Sequence, residues 1–225
     1  MKAKKLLAIS IATLMFVVFF EVGYIAFRPP EPSVQYEYRY VTKAVYVTNR
    51  VPESMLVNGI GVHDDNKTGE IVEINVSIEP GEGRVFFDTT FHSYGADLQD
   101  SMSAIIKCAE KATGETLNSL DVKVNLRSEA HTVEGTSGGA ALGAGLIALL
   151  ENKTIRSDVA ITGTLDEHCR IGSIAELGVK IKVAEQNGLS KIIVPKSQCI
   201  EANKTTSIKV ACAENIMQAI KEMTE

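Results

Sequence analysis

Apolar and polar residues alternate in several short stretches of this chain, a pattern that is typical of β-strands. The segments "MLVNGIGV" and "EIVEINVSI" predict two strands, and the turn "EPGEG" leads into a third, "RVFFD". Further strands are predicted at "DVKVNL", "DVAITGTL" and "KIIVP". These segments are spread along the chain from about residue 55 to residue 195.

Apolar residues at helical spacing predict four helices between and after these strands. The first is amphipathic and is ended by Gly114; its apolar positions are Leu98, Met102, Ile105, Ile106 and Ala109. The second runs over 137–150, and its Gly and Ala content predicts close packing against a neighbour. The others are predicted near 174–187, where Gly188 stops the helix, and near 213–223. The order of elements predicts an α+β domain and not a regular βαβ winding.

The N-terminal segment Leu6 to Phe27 is apolar apart from a few positions. As a helix with a rise of ~1.5 Å per residue, it reaches about 33 Å, enough to cross a hydrocarbon core of ~30 Å. A cleaved signal peptide, with Leu6 to Phe20 as its apolar run, is the alternative. The small residues that a cleavage site requires are lacking around Gly23 to Phe27, so we favour a transmembrane anchor.

Charges around this segment predict its orientation in the membrane. Three lysines precede it and only Arg28 follows closely, so the positive-inside rule places the main domain outside the cytoplasm. Four Asn-x-Ser/Thr sequons fit an exterior location; they begin at Asn66, Asn75, Asn152 and Asn203. We therefore expect an anchor at 1–27, a Pro-rich linker with a Tyr-rich strand at 28–50, and one globular domain at 51–225.

Charge and cysteine usage exclude several classes of function. The formal net charge is −5 and no long basic block is present, which argues against nucleic acid as the partner. The four cysteines have no C-x-x-C spacing, so no metal site is predicted. No cofactor is predicted either. An exterior domain could pair them in any of three connectivities, and buried free thiols are equally open.

The stretch "EGTSGGAALGAGLIALLENKT", from Glu134 to Thr154, carries the most specific candidate chemistry. It predicts a loop that places Ser137 at the first turn of a helix with glycines on both sides. Free backbone N–H groups at a helix N-terminus suit an oxyanion or a phosphate. Ser137 is therefore a candidate nucleophile, part of a phosphate cradle, or an ordinary N-cap, and the loop alone leaves all three open.

A serine nucleophile needs a base, and the chain offers few. In an α/β-hydrolase the catalytic histidine follows the nucleophile in the sequence, and only His168 follows Ser137. His131, which lies six residues before Ser137, is another candidate base. Lys180 and Lys182 are the other candidates. A lysine at its reference pKa of ~10.4 is protonated at pH 7, and lowering that pKa to ~7 costs about 4 to 5 kcal/mol, which burial can supply.

Helical spacing distinguishes the two lysines only weakly. Lys180 has apolar neighbours three and four positions on, Val183 and Ala184, whereas Lys182 has Glu185 and Gln186. Two solvated lysines on a helix surface remain the alternative, and that interpretation fits Lys182 better than Lys180.

The order and spacing of several motifs together resemble the proteolytic domain of Lon proteases, particularly the archaeal membrane-associated group. The motifs are "VNGIGV", "EPGEGRVFF", "DLQDSMSAIIKCAEK", "VEGTSGG", "RSDVAITGTL" and "LGVKIKVAEQNGLSKIIVPKSQ". They cover essentially the whole predicted exterior domain. The resemblance implies a fold similar to the ribosomal protein S5 domain 2-like type.

The resemblance also implies roles for individual residues. Ser137 matches the family's nucleophile and Lys180, 43 residues later, matches the lysine of its Ser/Lys dyad. Thr162 matches a threonine that supports the lysine, and Glu134 matches an acidic residue that influences the site in archaeal relatives. The backbone N–H groups of Thr136 and Ser137 would form the oxyanion hole. Thr136 itself departs from the family, which usually has Asp or Pro there.

From this resemblance we expect a membrane-anchored serine endopeptidase acting on unfolded proteins or peptides. The chain contains no Walker A motif, so we expect it to lack an ATPase module. A homo-oligomeric ring is a further hypothesis. Two other classes stay open: a catalytically inactive binding or assembly module, and a small-molecule kinase whose Gly/Ser loop cradles phosphates.

Overall fold

The computed structural model describes residues 54–204 and 206–224. The predicted anchor at 1–27 and the predicted linker and strand at 28–50 lie outside the described residues. Among the residues that are described, none of the helices combines the length and the apolar character that a membrane crossing requires.

A mixed seven-stranded sheet forms the centre of the described domain, with two two-stranded sheets beside it. The strands are β1 (Ser54–Val62), β2 (Gly69–Pro80), β3 (Val85–Phe87), β4 (Ser93–Tyr94), β5 (Leu120–Arg127), β6 (Thr132–Val133), β7 (Val159–Ile161), β8 (Thr164–Leu165), β9 (Ile171–Gly172), β10 (Lys191–Pro195) and β11 (Lys209–Ala213). The central order is β11-β10-β7-β1-β2-β5-β3. Neighbours from β11 to β1 are parallel, and β1, β2 and β5 are antiparallel. β3 pairs with β5 in parallel.

Five α-helices cover the two faces of this sheet. They are α1 (Ala96–Thr113), α2 (Gly139–Leu150), α3 (Leu177–Gln186), α4 (Cys199–Ala202) and α5 (Ile216–Thr224). Successive side chains of a strand point to opposite faces of the sheet, so alternate residues lie in two separate hydrophobic cores. In β7, Val159 and Ile161 lie in one core and Ala160 lies in the other. The larger core takes its helical residues from α1, α2 and α5, and the smaller one from α3 and α4. The α+β class is confirmed.

The predicted close packing of the Gly- and Ala-rich helix is confirmed. Every residue of α2 from Gly139 to Leu149 is buried. A Cβ on Gly145 would lie 3.0 Å from Val57 Cγ2 and 3.2 Å from Val76 Cγ2, so glycine lets α2 approach β1 and β2 closely.

One predicted strand is wrong in a way that matters for the site. "DVAITGTL" is not continuous: β7 ends at Ile161, and β8 pairs with β9 in a separate sheet. The reason is that the N–H of Gly163 turns away from the central sheet and donates to the carbonyl of Ser137.

Other predicted boundaries shift by two or three residues. A 3-10 turn at Thr136–Gly138 precedes α2, and α3 begins at Leu177. The C-terminal helix begins at Ile216 because Ala213 still belongs to β11, a strand that was not predicted. α1 ends at Thr113, directly before Gly114, as predicted.

The cysteines form two disulfides, which selects one of the three connectivities and excludes free thiols. Cys108 of α1 pairs with Cys169, in the turn between β8 and β9, with Cα atoms 5.1 Å apart. Cys199 of α4 pairs with Cys212 of β11, with Cα atoms 5.6 Å apart. The described chain has no free cysteine.

Candidate active site

Ser137 lies in a tight turn at the entrance to α2. The turn begins after Gly135, whose φ of 93° and ψ of 137° lie in a region that residues with a Cβ rarely adopt. The 3-10 turn Thr136–Gly138 then runs directly into α2. The N–H groups of Thr136 and Ser137 come before the first hydrogen bond of this turn, which Gly139 N–H donates to Thr136 O, so the helix does not use them and they can face a negatively charged group.

Lys180 of α3 reaches Ser137 from the other side of the cleft. Its Nζ lies 2.7 Å from Ser137 Oγ and 3.2 Å from Thr162 Oγ1. The lysine is 4% exposed and Thr162 is fully buried. The structure therefore brings Ser137, Lys180 and Thr162 into one hydrogen-bonded group.

Burial lowers the pKa of Lys180 from its usual 10.5 to about 8. The cause is desolvation, because a charged ammonium is disfavoured among apolar neighbours. Roughly one amine in ten is then neutral at pH 7, against fewer than one in a thousand at the reference pKa. Lys182, the fallback candidate, is exposed on the same helix. A neutral amine beside a hydroxyl can accept its proton.

The segment Thr162–Gly163 holds both partners in place. The N–H of Thr162 donates to Ile193 O at 3.1 Å, which fixes the segment to β10. The N–H of Gly163 donates to Ser137 O at 3.0 Å, and its carbonyl accepts from the N–H of Ala140 at 2.9 Å. The residues that follow β7 therefore hold Lys180 through the Thr162 side chain and the Ser137 turn through the backbone of Gly163.

Ser137 and Lys180 line an open cleft of about 940 Å³. Glu134 and Thr136, both predicted to matter, lie exposed in its wall. His131 also lines the cleft, but its side chain is exposed and no hydrogen bond to Ser137 is present among the described residues. His168 lies in the turn between β8 and β9 and is not part of the wall.

Glu70 is a cleft residue that sequence reasoning missed. It is 9% exposed, and its carboxylate accepts hydrogen bonds from Ser128 Oγ at 2.6 Å, from the N–H of Ala130 at 3.1 Å and from the N–H of Glu129. Burial alone would raise the pKa of Glu70, but these hydrogen bonds stabilise the carboxylate more strongly, so the pKa is lowered. The available signal was its position on β2, where Glu70 shares the inward alternation of Val72 and Ile74.

The described residues hold no cluster of His, Cys, Asp or Glu side chains suited to a metal ion. Ser137, Lys180 and the backbone donors around them form the hydrogen-bonding group in the cleft. This group could transfer an acyl moiety through serine.

Comparison with known proteins identifies the family. The model of the Lon protease (S16) C-terminal proteolytic domain matches residues 38–224. The match spans most of the chain, so the chain belongs to this family. Membership supports a peptidase function of the serine type.

Individual relatives are Lon proteases of archaea and of a nematode. The chain is 28% identical over 173 residues to an archaeal Lon protease of Thermococcus kodakarensis, which covers 73% of this chain and 27% of that protein. It is 27% identical over 159 residues to an archaeal Lon protease of Archaeoglobus fulgidus, covering 69% and 25%. For the peroxisomal Lon protease homolog 2 of Caenorhabditis briggsae, identity is 28% over 166 residues, covering 70% and 21%. The aligned part thus spans about a quarter of the length of these relatives.

Proposed function

We propose that this chain is a membrane-anchored serine endopeptidase of the Lon type that lacks an ATPase module and uses a Ser137/Lys180 dyad. The observation that carries the proposal is the 2.7 Å distance between Lys180 Nζ and Ser137 Oγ. Its fold is proposed to be of the ribosomal protein S5 domain 2-like type. The proposed substrates are unfolded proteins or peptides.

In the proposed mechanism the neutral amine of Lys180 accepts the hydroxyl proton of Ser137 while Oγ attacks the scissile carbonyl carbon. The resulting ammonium is held by Thr162 Oγ1, which is already 3.2 Å from Nζ. Lys180 then gives this proton to the leaving amine, and the peptide C–N bond breaks. The amine of Lys180 is neutral again when the acyl-enzyme has formed.

The backbone N–H groups of Thr136 and Ser137 are the proposed donors to the oxyanion of the tetrahedral intermediate. They lie at the start of the turn that enters α2, where N–H groups are not used by the helix and the helix dipole favours negative charge. Water then attacks the acyl-enzyme, with Lys180 accepting the proton from water and returning it to Ser137 Oγ.

The proposed location is a single-pass membrane protein with its proteolytic domain outside the cytoplasm. Support comes from the apolar segment Leu6 to Phe27, the lysines before it, and the two disulfides. Disulfides persist in oxidising compartments and are rare in the cytosol of most organisms. A protease-protection assay on intact cells, with the Ser137→Ala chain to prevent self-cleavage, tests this: digestion of the domain from outside supports it, and protection contradicts it.

The dyad is tested with the purified full-length chain and a fluorescently labelled unfolded protein. Ser137→Ala and Lys180→Ala are each expected to abolish cleavage, whereas Lys182→Ala, a matched change on the exposed face of α3, retains it. A fluorophosphonate probe is expected to label the unmodified chain at Ser137. Full activity in either of the first two variants would refute the role of that residue. Absence of both labelling and cleavage would instead favour a non-catalytic binding module.

A further inference from the structure

The walls of the cleft carry far more negative than positive charge. Five carboxylate residues line it, against one lysine, Lys180, and the histidines His63 and His131. Glu70 is buried; its carboxylate accepts hydrogen bonds from the 128–130 turn and lies 3.5 Å from His63 Nε2. The other four acids are exposed; they are Asp64, Asp97, Glu134 and Glu176.

These four exposed acids come from four separate parts of the fold. Asp64 lies in the hairpin between β1 and β2, and Asp97 lies in the first turn of α1. Glu134 follows β6, and Glu176 directly precedes α3. The charge is therefore a property of the assembled cleft and not of one acidic run in the sequence.

No lysine, arginine or histidine of the described domain forms an ion pair with these acids. Asp97 and Glu134 are also close to each other, because a Cβ placed on Gly95 would contact Asp97 Oδ1 and Glu134 Cβ together. Two carboxylate residues in one part of the cleft wall attract a cation more strongly than either does alone.

The negative surface continues beyond the Ser137 turn. A second groove shares Asp97, Thr136 and Thr164 with the cleft and adds Asp100, three residues after Asp97 on α1. Asp100 also lacks an ion pair in the described part of the chain. The other charges of this groove are neutralised, since Glu167 pairs with Lys107 and Asp166 with Arg170. Unpaired carboxylates therefore line both grooves that share Thr136, the residue next to Ser137.

We propose that the cleft selects peptide segments that carry lysine or arginine within a few residues of the scissile bond, through Asp64, Asp97, Glu134 and Glu176. This inference rests on the proposed peptidase function and names the substrate class of the same site. The site itself is defined by Ser137 and Lys180; the acids determine which peptides concentrate there. A cleft lined by one sign of charge focuses its field and raises the local concentration of ligands of opposite charge.

The test uses three internally quenched peptides of equal length with the same apolar centre, flanked on both sides by Lys, by Gln or by Glu. With the full-length chain at about 0.05 M salt, kcat/KM is expected to fall in the order Lys, Gln, Glu, with Lys above Glu by at least about tenfold. The ratio of kcat/KM between the Lys and Glu peptides is expected to fall at about 0.5 M salt, because screening weakens charge interactions in an open cleft. Equal rates, or a preference for the Glu peptide, would overturn the proposal.

Variants show whether the cleft acids cause the preference. Asp97→Asn, Glu134→Gln and Glu176→Gln combined leave only Asp64 of the four acids and are expected to lower the Lys to Glu ratio of kcat/KM markedly towards one. Glu115→Gln, an exposed acid outside both grooves, serves as the matched control and is expected to keep the ratio. Circular dichroism checks that each variant is folded. If the triple variant keeps the ratio of kcat/KM between the Lys and Glu peptides, these acids do not cause the preference.

Binding separates this inference from the proposed function. The same peptides, labelled with a fluorophore, are titrated onto Ser137→Ala and followed by anisotropy. Tighter binding of the Lys peptide supports cationic selection whether or not the unmodified chain cleaves it. Cleavage without charge preference would overturn only the proposed selection of cationic peptides. Charge-selective binding without cleavage would overturn only the proposed peptidase function.

Discussion

The N–H of Gly163 donates a hydrogen bond of 3.0 Å to the carbonyl oxygen of Ser137. The residue before Gly163, Thr162, lies 3.2 Å from Lys180 Nζ through its hydroxyl. One dipeptide at the end of β7 therefore fixes the relative position of the two groups that we propose to carry the chemistry. The break between β7 and β8 creates this arrangement, because a continuous strand would commit the N–H of Gly163 to a neighbouring strand.

Thr162→Val is expected to lower kcat by about tenfold to hundredfold while changing KM little. The variant keeps the shape but removes the acceptor for the Lys180 ammonium, and a hydrogen bond to a charged group is worth about 1.5 to 3 kcal/mol. The lysine pKa should fall further, because the lost hydrogen bond favoured the charged form. Steady-state kinetics over a range of pH values measure both effects.

Thr162→Ser is the matched control, since it keeps the hydroxyl that Lys180 Nζ contacts. It is expected to retain activity within about threefold, a difference of less than about 1 kcal/mol. Full activity in the Val variant, which lacks the hydroxyl but keeps a methyl group, would contradict the positioning role of the hydroxyl.

Activity is expected to rise with pH and level off above a midpoint of about 8, the pKa to which burial lowers Lys180. The neutral amine is the proposed base, so kcat/KM follows its deprotonation and is about a hundredfold below the plateau near pH 6. The profile of kcat/KM for a short peptide measures this midpoint.

The alternative base His131 makes a different prediction for the same experiment. If His131 were the base, replacing it would abolish activity or change the pH profile. His131→Gln is expected to leave the midpoint near 8. A profile that is flat between about pH 6 and about pH 9 would contradict the lysine mechanism.

Much of the fold can be predicted from the sequence because it is encoded in local patterns. The alternation in β1 and β2 and the spacing of Leu98, Met102 and Ile105 in α1 indicate both the type of element and its buried face. These patterns depend only on neighbouring residues. The interruption at Thr162 and Gly163 does not, because its cause is a hydrogen bond to Ser137, far away in the sequence.

The site was only partly predictable for the same reason. The Ser137 turn is visible in its glycines, but helical spacing distinguishes Lys180 from Lys182 weakly, and the burial that separates them comes from tertiary packing. The resemblance to Lon proteases supplied that choice. The pairing of Cys108 with Cys169 also cannot be predicted from local sequence, because it depends on α1 lying beside the turn between β8 and β9.

Lys180→Met is expected to stabilise the protein at neutral pH while abolishing activity. The pKa of Lys180 is about 8 in the folded state and 10.5 in its ordinary state, so the unfolded chain binds this proton more tightly. Burying the lysine therefore costs about 3 kcal/mol below about pH 8, and the cost vanishes as pH rises towards about 10.5. Urea unfolding should give a higher free energy of unfolding for the variant, by up to that amount.

The pH dependence and a matched variant make this prediction specific. The difference between Lys180→Met and the unmodified chain should shrink as pH rises from about 8 to about 10.5. Lys182→Met changes an exposed lysine on the same helix and should shift stability little. A destabilised Lys180→Met protein would show that the hydrogen bonds to Ser137 and Thr162 outweigh the cost of burying the amine.

Glu70→Gln is expected to destabilise the turn at 128–130 and the cleft wall that follows it. The carboxylate oxygens accept hydrogen bonds from Ser128 Oγ and from the N–H groups of Glu129 and Ala130. A glutamine presents an NH₂ group in place of one oxygen, so a donor faces a donor in a buried position, at a cost of about 1 to 3 kcal/mol. Urea unfolding at pH 7 measures this loss.

The carboxylate also makes this difference depend on pH, because the pKa of Glu70 is lowered below its ordinary 4.5. Its contribution is fully present above the unfolded pKa of about 4.5 and is lost as pH falls through the lower folded value. The two proteins should therefore converge in stability under acid conditions. A stability difference that stays constant from pH 7 into that acid range would mean that Glu70 acts through its size and packing, and that its charge does not hold the turn.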